Sequence, residues 1–238
     1  MKPKILVYTH TDVDWVWPYW FKQADKFLSD YDKIMLVNDA RKVNREDYQV
    51  IEYSDKNKYT TRVVEALDKL HPEEVVMFHH EDMFLYDNPN HKLIAELSDL
   101  VKEDKAHFIK LIRVGDIKET HLHTSLSENP SNLLFAIQPT ICKVKNLREV
   151  YANTKGETIW QFEEMSTETI IDKEFLTYYT FTEGDELRGS AHYDSAIYPY
   201  VATAVVKGKW NKAEYPEELR NIFDEHERES RPTHWSER

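Results

Sequence analysis

Runs of apolar residues alternate with amphipathic segments over the first hundred positions of the chain. Short apolar runs bounded by polar residues are typical of buried strands, whereas apolar residues three or four positions apart indicate helices. The pattern predicts four strands, at 4–9, 33–38, 49–54 and 74–80. It predicts three helices, at 17–30, 60–70 and 91–104. Strands and helices that alternate in this way form a largely parallel sheet with helices on its faces.

The pattern is less regular after residue 105. Further strands are predicted at 107–114, 133–139, 175–181 and 200–206. A helix is predicted at 157–171, and an exposed helix is expected at 217–229 in the charged tail. The sequence contains no internal repeat and no low-complexity linker. We therefore predict one α/β domain over residues 1–210, with a polar helical tail at 211–238 that belongs to the same domain or faces a partner.

Composition places the chain among soluble globular proteins. Of its 238 residues, 41% are hydrophobic and 31% are charged, and both fractions are unlike those of disordered chains. The single cysteine, Cys142, excludes an internal disulfide and fits a reducing compartment. No apolar run approaches the ~20 residues that a membrane span needs, and the first residues lack the features of a signal peptide. We expect a cytoplasmic protein.

The charge balance and the scarcity of glycine limit the possible ligands. A net charge of -12 argues against a nucleic-acid polymer as a partner, because phosphate backbones are bound by basic surfaces. A small phosphorylated ligand held by a few basic residues remains compatible with that charge. With five glycines, the chain has neither GxGxxG nor GxxxxGK[ST]. A nucleotide site would therefore be of another kind.

Polar residues follow the first and fourth predicted strands, where ligands bind in open parallel sheets. The stretch 7–20, VYTHTDVDWVWPYW, carries a His-x-Asp pair among large aromatics. Glu81 and Asp82 follow the strand at 74–80. Two adjacent acids at the end of a buried strand need a cation or water, and carboxylate oxygens suit Mg²⁺ or Mn²⁺. The alternative is a solvated acidic loop.

The helix predicted at 157–171 carries a third candidate group. Glu163 follows Trp160 by three residues, so both side chains can face one pocket. A carboxylate beside an aromatic wall can act as a general base with a raised pKa. The alternative is an amphipathic helix with exposed acids.

Taken in order, these segments resemble the small GT-A-type glycosyltransferases that use nucleotide sugars. The likeness covers about residues 4 to 210 and is carried by VVMFHHEDMFL (75–85), QPTIC (138–142), the W-x-F-E segment at 160–163, KGKW (207–210) and Tyr59-x-x-Arg62. Two positions depart from that group, since Cys142 replaces a Trp and the acidic motif is Glu-Asp in place of Asp-x-Asp. The resemblance implies a GT-A-like catalytic domain with a mostly parallel central sheet flanked by helices.

The resemblance also implies how a nucleoside-diphosphate sugar would be bound. Thr9, His10 and Asp12 would line the base and ribose end of the donor pocket. Arg62 would help to hold the donor, and Lys209 would neutralise the leaving diphosphate.

The remaining implied roles concern the transferred sugar and its acceptor, a glycan hydroxyl. Asp82, with Glu81, would hold a divalent metal ion or the donor sugar and contribute to catalysis. Glu163 would deprotonate the acceptor, and a single displacement of this kind inverts the anomeric carbon. The expected substrate-contacting residues are Trp15, Gln138, Trp160 and Trp210.

Two other interpretations fit parts of the sequence. In a zinc-dependent hydrolase of the mannosidase or deacetylase type, His10 and Asp12 would be metal ligands. Catalytic zinc usually has three protein ligands, and His79, His80, His121 and His123 supply further candidates. In a non-catalytic carbohydrate-binding module, the many aromatic residues would stack on sugars.

Overall fold

The structure is a computed structural model. It describes residues 1–118, 120–129, 133–155, 158–188, 192–206 and 208–223, together with the backbone of 233–234.

The described residues contain thirteen strands and six α-helices. The strands are β1 Lys4–Tyr8, β2 Lys33–Val37, β3 Tyr48–Glu52, β4 Val75–His80, β5 Phe108–Lys110, β6 Leu126–Glu128, β7 Thr140–Lys143, β8 Thr177–Thr180, β9 Leu187–Arg188, β10 His192–Tyr193, β11 Val205–Val206, β12 Lys209–Asn211 and β13 Thr233–His234. The helices are α1 Trp17–Phe27, α2 Tyr59–Leu67, α3 His91–Lys102, α4 Val144–Asn153, α5 Ile159–Asp172 and α6 Pro216–Ile222. Two 3-10 segments, Thr11–Val16 and Ala40–Lys42, follow β1 and β2.

One eight-stranded sheet organises the molecule, in the order β3-β2-β1-β4-β7-β5-β8-β6. The four strands from β3 to β4 are parallel to one another. Strand β7 is antiparallel to both of its neighbours, β4 and β5. Strand β5 pairs with β8 in parallel, whereas β6 and β8 are antiparallel. The predicted α/β fold with a mostly parallel sheet flanked by helices is confirmed.

The elements form where the sequence pattern places them in the first half of the chain. Every residue of β2 and β4 is buried, as expected for strands covered on both faces. In α3, the buried positions Ile94, Leu97 and Val101 form one stripe. The side chain of Asn90 caps this helix by accepting a hydrogen bond from the Leu93 amide at 3.0 Å.

The second half differs from the prediction at several places. The predicted strand 107–114 is reduced to β5, Phe108–Lys110, and only β11, Val205–Val206, forms within the predicted strand 200–206. In the described part of 133–139, the buried run that suggests a strand is an irregular segment, and the strand β7 begins only at Thr140. Periodicity cannot separate these cases, because any short buried segment is apolar. Helix α4 is absent from the prediction, although Val144, Leu147, Val150 and Tyr151 form a helical stripe.

Candidate ligand-binding positions from both halves share one edge of the sheet. Because β7 is antiparallel to β4 and β5, its first residue, Thr140, pairs with Phe78 near the end of β4 and with Lys110 at the end of β5. The residues just before β7 therefore lie at the same edge as the residues just after β1 and β4.

The described part of the tail packs onto the domain. Leu219, Ile222 and Phe223 are buried in the main hydrophobic core. The expectation of an exposed helix is therefore wrong for 217–223, and 224–229 lie outside the described residues. The boundary at 210 stays a prediction. Within the part of the chain that the structure describes, every helix is too short or too polar to cross a lipid bilayer.

Candidate active site

A pocket opens beyond the ends of β1 and β3, with a volume of about 410 Å³. It is lined by His10, Asp12, Asp55 and Arg62, and we call it the strand-end pocket. Three of these residues are predicted donor-binding residues, and the sequence analysis missed Asp55. The rule that ligands bind after the ends of parallel strands would have found it, because Asp55 lies three residues after β3.

The Asp55 carboxylate is held between two donors. Its Oδ1 lies 2.9 Å from His10 Nε2 and 2.8 Å from Arg62 Nη2. The Asp12 amide donates to His10 Nδ1 at 3.1 Å, which leaves Nε2 to carry the proton and donate to Asp55. The hydrogen bond from His10, assisted by the charge of Arg62, lowers the pKa of Asp55 below its usual value.

Arg62 is fixed by its own loop as well as by Asp55. Its Nε donates to the carbonyl of Asn57 at 2.7 Å, and its Nη2 donates to the carbonyl of Asp55 at 2.7 Å. The guanidinium lies 5.9 Å from the centre of the Tyr53 ring, which stacks on Tyr8 at 5.3 Å. The pocket therefore presents a preorganised carboxylate-guanidinium pair beside stacked aromatic rings.

Thr9 supports this pocket but does not line it. Its side chain is buried, and its hydroxyl accepts a hydrogen bond from Trp17 Nε1 at 2.7 Å. Its carbonyl accepts a hydrogen bond from the Tyr53 hydroxyl at 2.6 Å. The prediction that Thr9 contacts the donor is corrected here, because these bonds use Thr9 to fix the end of β1. By contrast, the side chain of Asp12 is 88% exposed.

Glu81 and Asp82 form an adjacent acidic pair after β4. Burial is the main cause that raises the pKa of both carboxyls, and the charge of Asp82 raises that of Glu81 further. Asp82 Oδ2 accepts a hydrogen bond from the Val205 amide at 3.2 Å. The Ala204 amide donates to the Asp82 carbonyl, also at 3.2 Å. These bonds join the end of β4 to the hairpin of β11 and β12, which carries Lys209.

The acidic pair fits Mg²⁺ better than it fits catalytic zinc. The described residues contain no group of three or more His, Cys, Asp or Glu side chains placed to share an ion. Mg²⁺ can be held by one or two carboxylates together with substrate phosphates. Catalytic zinc usually needs three protein ligands, and the described residues do not supply such a set.

Glu163 lies in a second group of contacts, which we call the Glu163 cluster: Glu163, Lys110 and the segment 133–138. Glu163 Oε1 accepts a hydrogen bond from the Ile137 amide at 2.6 Å. Burial raises the pKa of Glu163, whereas the Ile137 amide, Lys110 and His192 act in the opposite direction. Lys110 Nζ donates to the Leu133 carbonyl at 2.7 Å. The motifs around Gln138 and Glu163 are thus in direct contact.

Two predicted substrate-contacting residues belong to this region, Gln138 within the cluster and Trp160 next to it. The Gln138 side-chain carbonyl accepts a hydrogen bond from the Tyr200 hydroxyl. Trp160 lies one turn before Glu163 on α5 and is 73% exposed, so its ring faces solvent beside the buried carboxylate.

Trp210 occupies a different environment from that predicted. Its ring is buried and packs against Trp15, Tyr19 and Phe223 at centroid distances of 4.9, 5.1 and 4.6 Å. The expectation that Trp210 contacts substrate is corrected, because its ring has no exposed face. Trp15 is partly exposed and packs edge-on against it.

The histidines needed for zinc are not arranged around His10. Both His10 nitrogens are engaged, one with the Asp12 amide and one with Asp55. His79 is fully buried beside Trp20, with a ring-centroid distance of 4.7 Å. His80 Nε2 lies 3.1 Å from the Tyr59 hydroxyl oxygen. Burial lowers the pKa of His79 and of His80 to about 3. This geometry does not support the zinc-hydrolase interpretation.

Lys110 is the second site residue that the sequence analysis missed. It lies in the predicted strand 107–114, where a single lysine is usually read as solvent-facing. Its burial depends on the segment 133–138 and on α5, which are distant in sequence, so no local signal could have revealed it.

Comparison with solved structures finds several that are similar to this chain at low sequence identity. A UDP-glucose pyrophosphorylase complexed with UDP-glucose matches 76% of this chain and 90% of its own, with 10% identity and a TM-score of 0.50. TarS 1-349 from S. aureus matches 93% of this chain and 64% of its own, with 13% identity and a TM-score of 0.48. The bifunctional IspDF from Campylobacter jejuni matches 76% of this chain, with 15% identity and a TM-score of 0.44.

The chain spans half the length of the C. jejuni protein. No protein-family model matches the chain, and no curated protein matches it either. At these identities the likeness shows the fold alone. The match to the UDP-glucose pyrophosphorylase shows that the two chains share an α/β fold.

Proposed function

We propose that this protein is a glycosyltransferase that moves a sugar from a nucleoside diphosphate to a hydroxyl of a glycan acceptor. The observation that carries the proposal is the position of Glu163, a partly buried carboxylate with a raised pKa, at the sheet edge that also bears the strand-end pocket. One edge thus offers a binding place for a polar ligand and a proton acceptor.

The strand-end pocket would take the nucleoside part of the donor. Asp55 supplies acceptor oxygens and Arg62 supplies N–H donors beside it, while His10 uses its own N–H to hold Asp55. A nucleobase edge or a ribose diol needs such a mixture of donors and acceptors. Arg62 and Lys209 would offset the negative charge of the diphosphate. The bound nucleotide is a proposal for this chain, while the matched pyrophosphorylase structure contains UDP-glucose.

Glu163 would act as the general base. As the acceptor oxygen bonds to the anomeric carbon, its proton passes to the Glu163 carboxylate. The bond between that carbon and the diphosphate oxygen breaks, and its electron pair leaves with the nucleotide. Trp160, exposed one turn away, would stack on the acceptor sugar. This single displacement would invert the anomeric centre.

Glu81 and Asp82 would hold a divalent ion of the Mg²⁺ or Mn²⁺ type. A hard cation would favour the charged form of both buried carboxyls. When bound, such an ion supplies positive charge next to the diphosphate.

The first test measures binding. Thermal unfolding is followed with UDP, GDP, dTDP and CDP, each with Mg²⁺, with Mn²⁺ and with a chelator. We expect one nucleotide to raise the melting temperature, since a ligand that binds only the folded state stabilises it. If no nucleotide changes the melting temperature under any condition, the proposed function is wrong.

The second test separates transfer from nucleotide chemistry. The stabilising nucleotide defines the base, and its sugar donors are then incubated with a panel of glycan acceptors. Transfer releases nucleoside diphosphate and lengthens the acceptor. A nucleotidyltransferase would instead consume a nucleoside triphosphate and a sugar phosphate and release pyrophosphate. Pyrophosphate release without acceptor extension would contradict the glycosyltransferase proposal.

A further inference from the structure

Lys110 is a buried cation that the proposed mechanism does not use. Its side chain is only 1% exposed, and burying an ammonium group is costly unless charge or hydrogen bonds compensate. Burial lowers the pKa of Lys110 to about 7, and the charge of Glu163 acts in the opposite direction. The structure therefore joins a buried lysine electrostatically to the proposed general base.

The strand geometry explains why Lys110 reaches this position. Side chains two residues apart lie on the same face of a strand, so Lys110 shares a face with Phe108. Phe108 packs against Phe135 with a centroid distance of 5.5 Å, and Phe135 packs against Phe162 at 5.7 Å. This row of rings lies between the sheet and α5, and Lys110 continues it toward the edge where Glu163 lies.

Lys110 and Glu163 hold the same piece of chain from two sides. Lys110 donates to the carbonyl of Leu133, and Glu163 accepts from the amide of Ile137. The segment between these contacts leads to Gln138, which accepts from Tyr200. A substitution of Lys110 therefore changes both the charge near Glu163 and the contacts of the segment 133–138, which binds Glu163.

We propose that Lys110 is a positioning residue for Glu163, which it holds in place through the segment 133–138 and keeps ionised by its positive charge. This role deepens the proposed function and rests on it for the use of Glu163 as a base. A base must be ionised to accept a proton, and burial alone disfavours its charged form.

Several other groups face Glu163 and limit what Lys110 can be expected to do. His192, on β10, also favours the ionised form of Glu163 and lies 3.2 Å from Glu214 through its Nδ1. The buried hydroxyls of Tyr59 on α2 and Tyr151 on α4 lie within electrostatic reach of Glu163. Removal of Lys110 should therefore raise the pKa of Glu163 without preventing its ionisation.

The decisive experiment titrates Glu163 directly. Protein labelled with ¹³C at the glutamate carboxyls is followed by NMR across pH, and Glu163→Gln identifies the signal. We expect Lys110→Met to move the Glu163 titration upward by about one pH unit, the effect of losing one nearby opposite charge. Lys110→Gln removes the charge but retains an N–H donor for the Leu133 carbonyl, and it should move the titration in the same direction.

Lys143→Met is the matched control. Lys143 is also a buried lysine in the same sheet, but it pairs with Glu73 and Asp104. Lys143→Met should leave the Glu163 titration unchanged. Melting temperatures show whether each variant is folded. If both Lys110 variants fold and titrate like the wild type, the role of Lys110 is overturned. A merely structural lysine would alter the melting temperature without moving this titration.

Enzyme activity gives a second readout. In Lys110→Met, the acidic limb of kcat/KM should shift to higher pH by the same amount, with nucleotide binding unchanged. A wild-type acidic limb in that variant would contradict the positioning role. If the wild type transfers no sugar, the proposed function fails, while the NMR titration still decides whether Lys110 controls the ionisation of Glu163.

Discussion

The strand-end pocket and the Glu163 cluster use charge in different ways. Around Asp55, the charged groups are partly exposed and hydrogen-bonded to one another, and the pKa of the carboxyl is lowered. Around Glu163, the carboxyl is mostly buried and its pKa is raised. The first arrangement stabilises a fixed set of charges, which suits binding. The second leaves a carboxylate that is a stronger proton acceptor than an exposed one, which suits catalysis.

The largest effect is expected when Glu163 is neutralised, which tests whether the Glu163 cluster serves catalysis and the strand-end pocket serves binding. We expect Glu163→Gln to reduce transfer by about 10²- to 10⁴-fold, the usual contribution of a general base. Nucleotide binding should persist, since the strand-end pocket is unchanged. Measurements of kcat and of nucleotide Kd check both parts, with the exposed neighbour Glu164→Gln as the control. Wild-type turnover in Glu163→Gln would remove this carboxylate from the mechanism.

Asp55→Asn tests the binding side. The substitution removes the charge that pairs with both His10 and Arg62, and hydrogen bonds to charged groups contribute about 1.5–3 kcal/mol each. We expect nucleotide Kd to rise about 10- to 100-fold, while bound donor is turned over at a nearly normal rate. Asp39→Asn is a matched control, because Asp39 forms a similar pair with Arg41 outside this pocket. Equal effects of the two substitutions on Kd would exclude a specific role for Asp55.

Glu81→Gln tests whether burial raises the pKa of Glu81 in the acidic pair. Burial raises the folded-state pKa of Glu81 above the unfolded value of about 4.3. Its stabilising contribution is therefore complete below that value and is lost as pH rises through the folded-state pKa. In the presence of a chelator, Glu81→Gln should melt a few degrees higher than the wild type at pH 8.

The difference between Glu81→Gln and the wild type should shrink as the pH falls toward 4.5. Thermal unfolding across this range, with Glu164→Gln as the control, measures it. A difference in melting temperature that does not depend on pH would show that the pKa of Glu81 is not raised in the folded protein.

The smallest expected effect comes from Trp160→Ala. An exposed side chain contributes little to folding, so the free energy of unfolding should change by less than about 0.5 kcal/mol. Loss of stacking should raise the acceptor KM by about two- to tenfold, from roughly 0.5–1.5 kcal/mol. Trp210→Ala provides the contrast, because emptying a buried site of this size costs about 3–5 kcal/mol in stability. An unchanged acceptor KM in Trp160→Ala would exclude this ring from the acceptor site.

The sequence predicts the first half of the fold well because its signals are local. Buried strands such as β2 and β4 are continuous apolar runs, and helices such as α3 repeat apolar residues at helical spacing. The segment 133–139 misleads for a physical reason. It is apolar because Phe135 and Ile137 are buried in the core, and not because it pairs with a neighbouring strand.

The candidate site was only partly predictable. The position of His10 and Asp12 follows from the rule that ligands bind beyond strand ends, which can be applied to sequence. Arg62, on α2, was expected only from the resemblance to glycosyltransferases. Lys110 and the burial of Trp210 depend on contacts between distant segments, which spacing does not encode. Thr9 shows an intermediate case, since its position at a strand end was predicted, but its bonds to Trp17 and Tyr53 were not.

The contact between Asp82 and Val205 has a consequence for how the protein is made. The two residues are 123 positions apart in sequence, and closing a loop of that length carries an entropy cost before the contact can form. During synthesis, β1 to β4 leave the ribosome well before the hairpin of β11 and β12. The residues that line the strand-end pocket are therefore all synthesised before the hairpin that contacts the acidic pair. Translation would thus supply the residues of the strand-end pocket first and the contact of the acidic pair last.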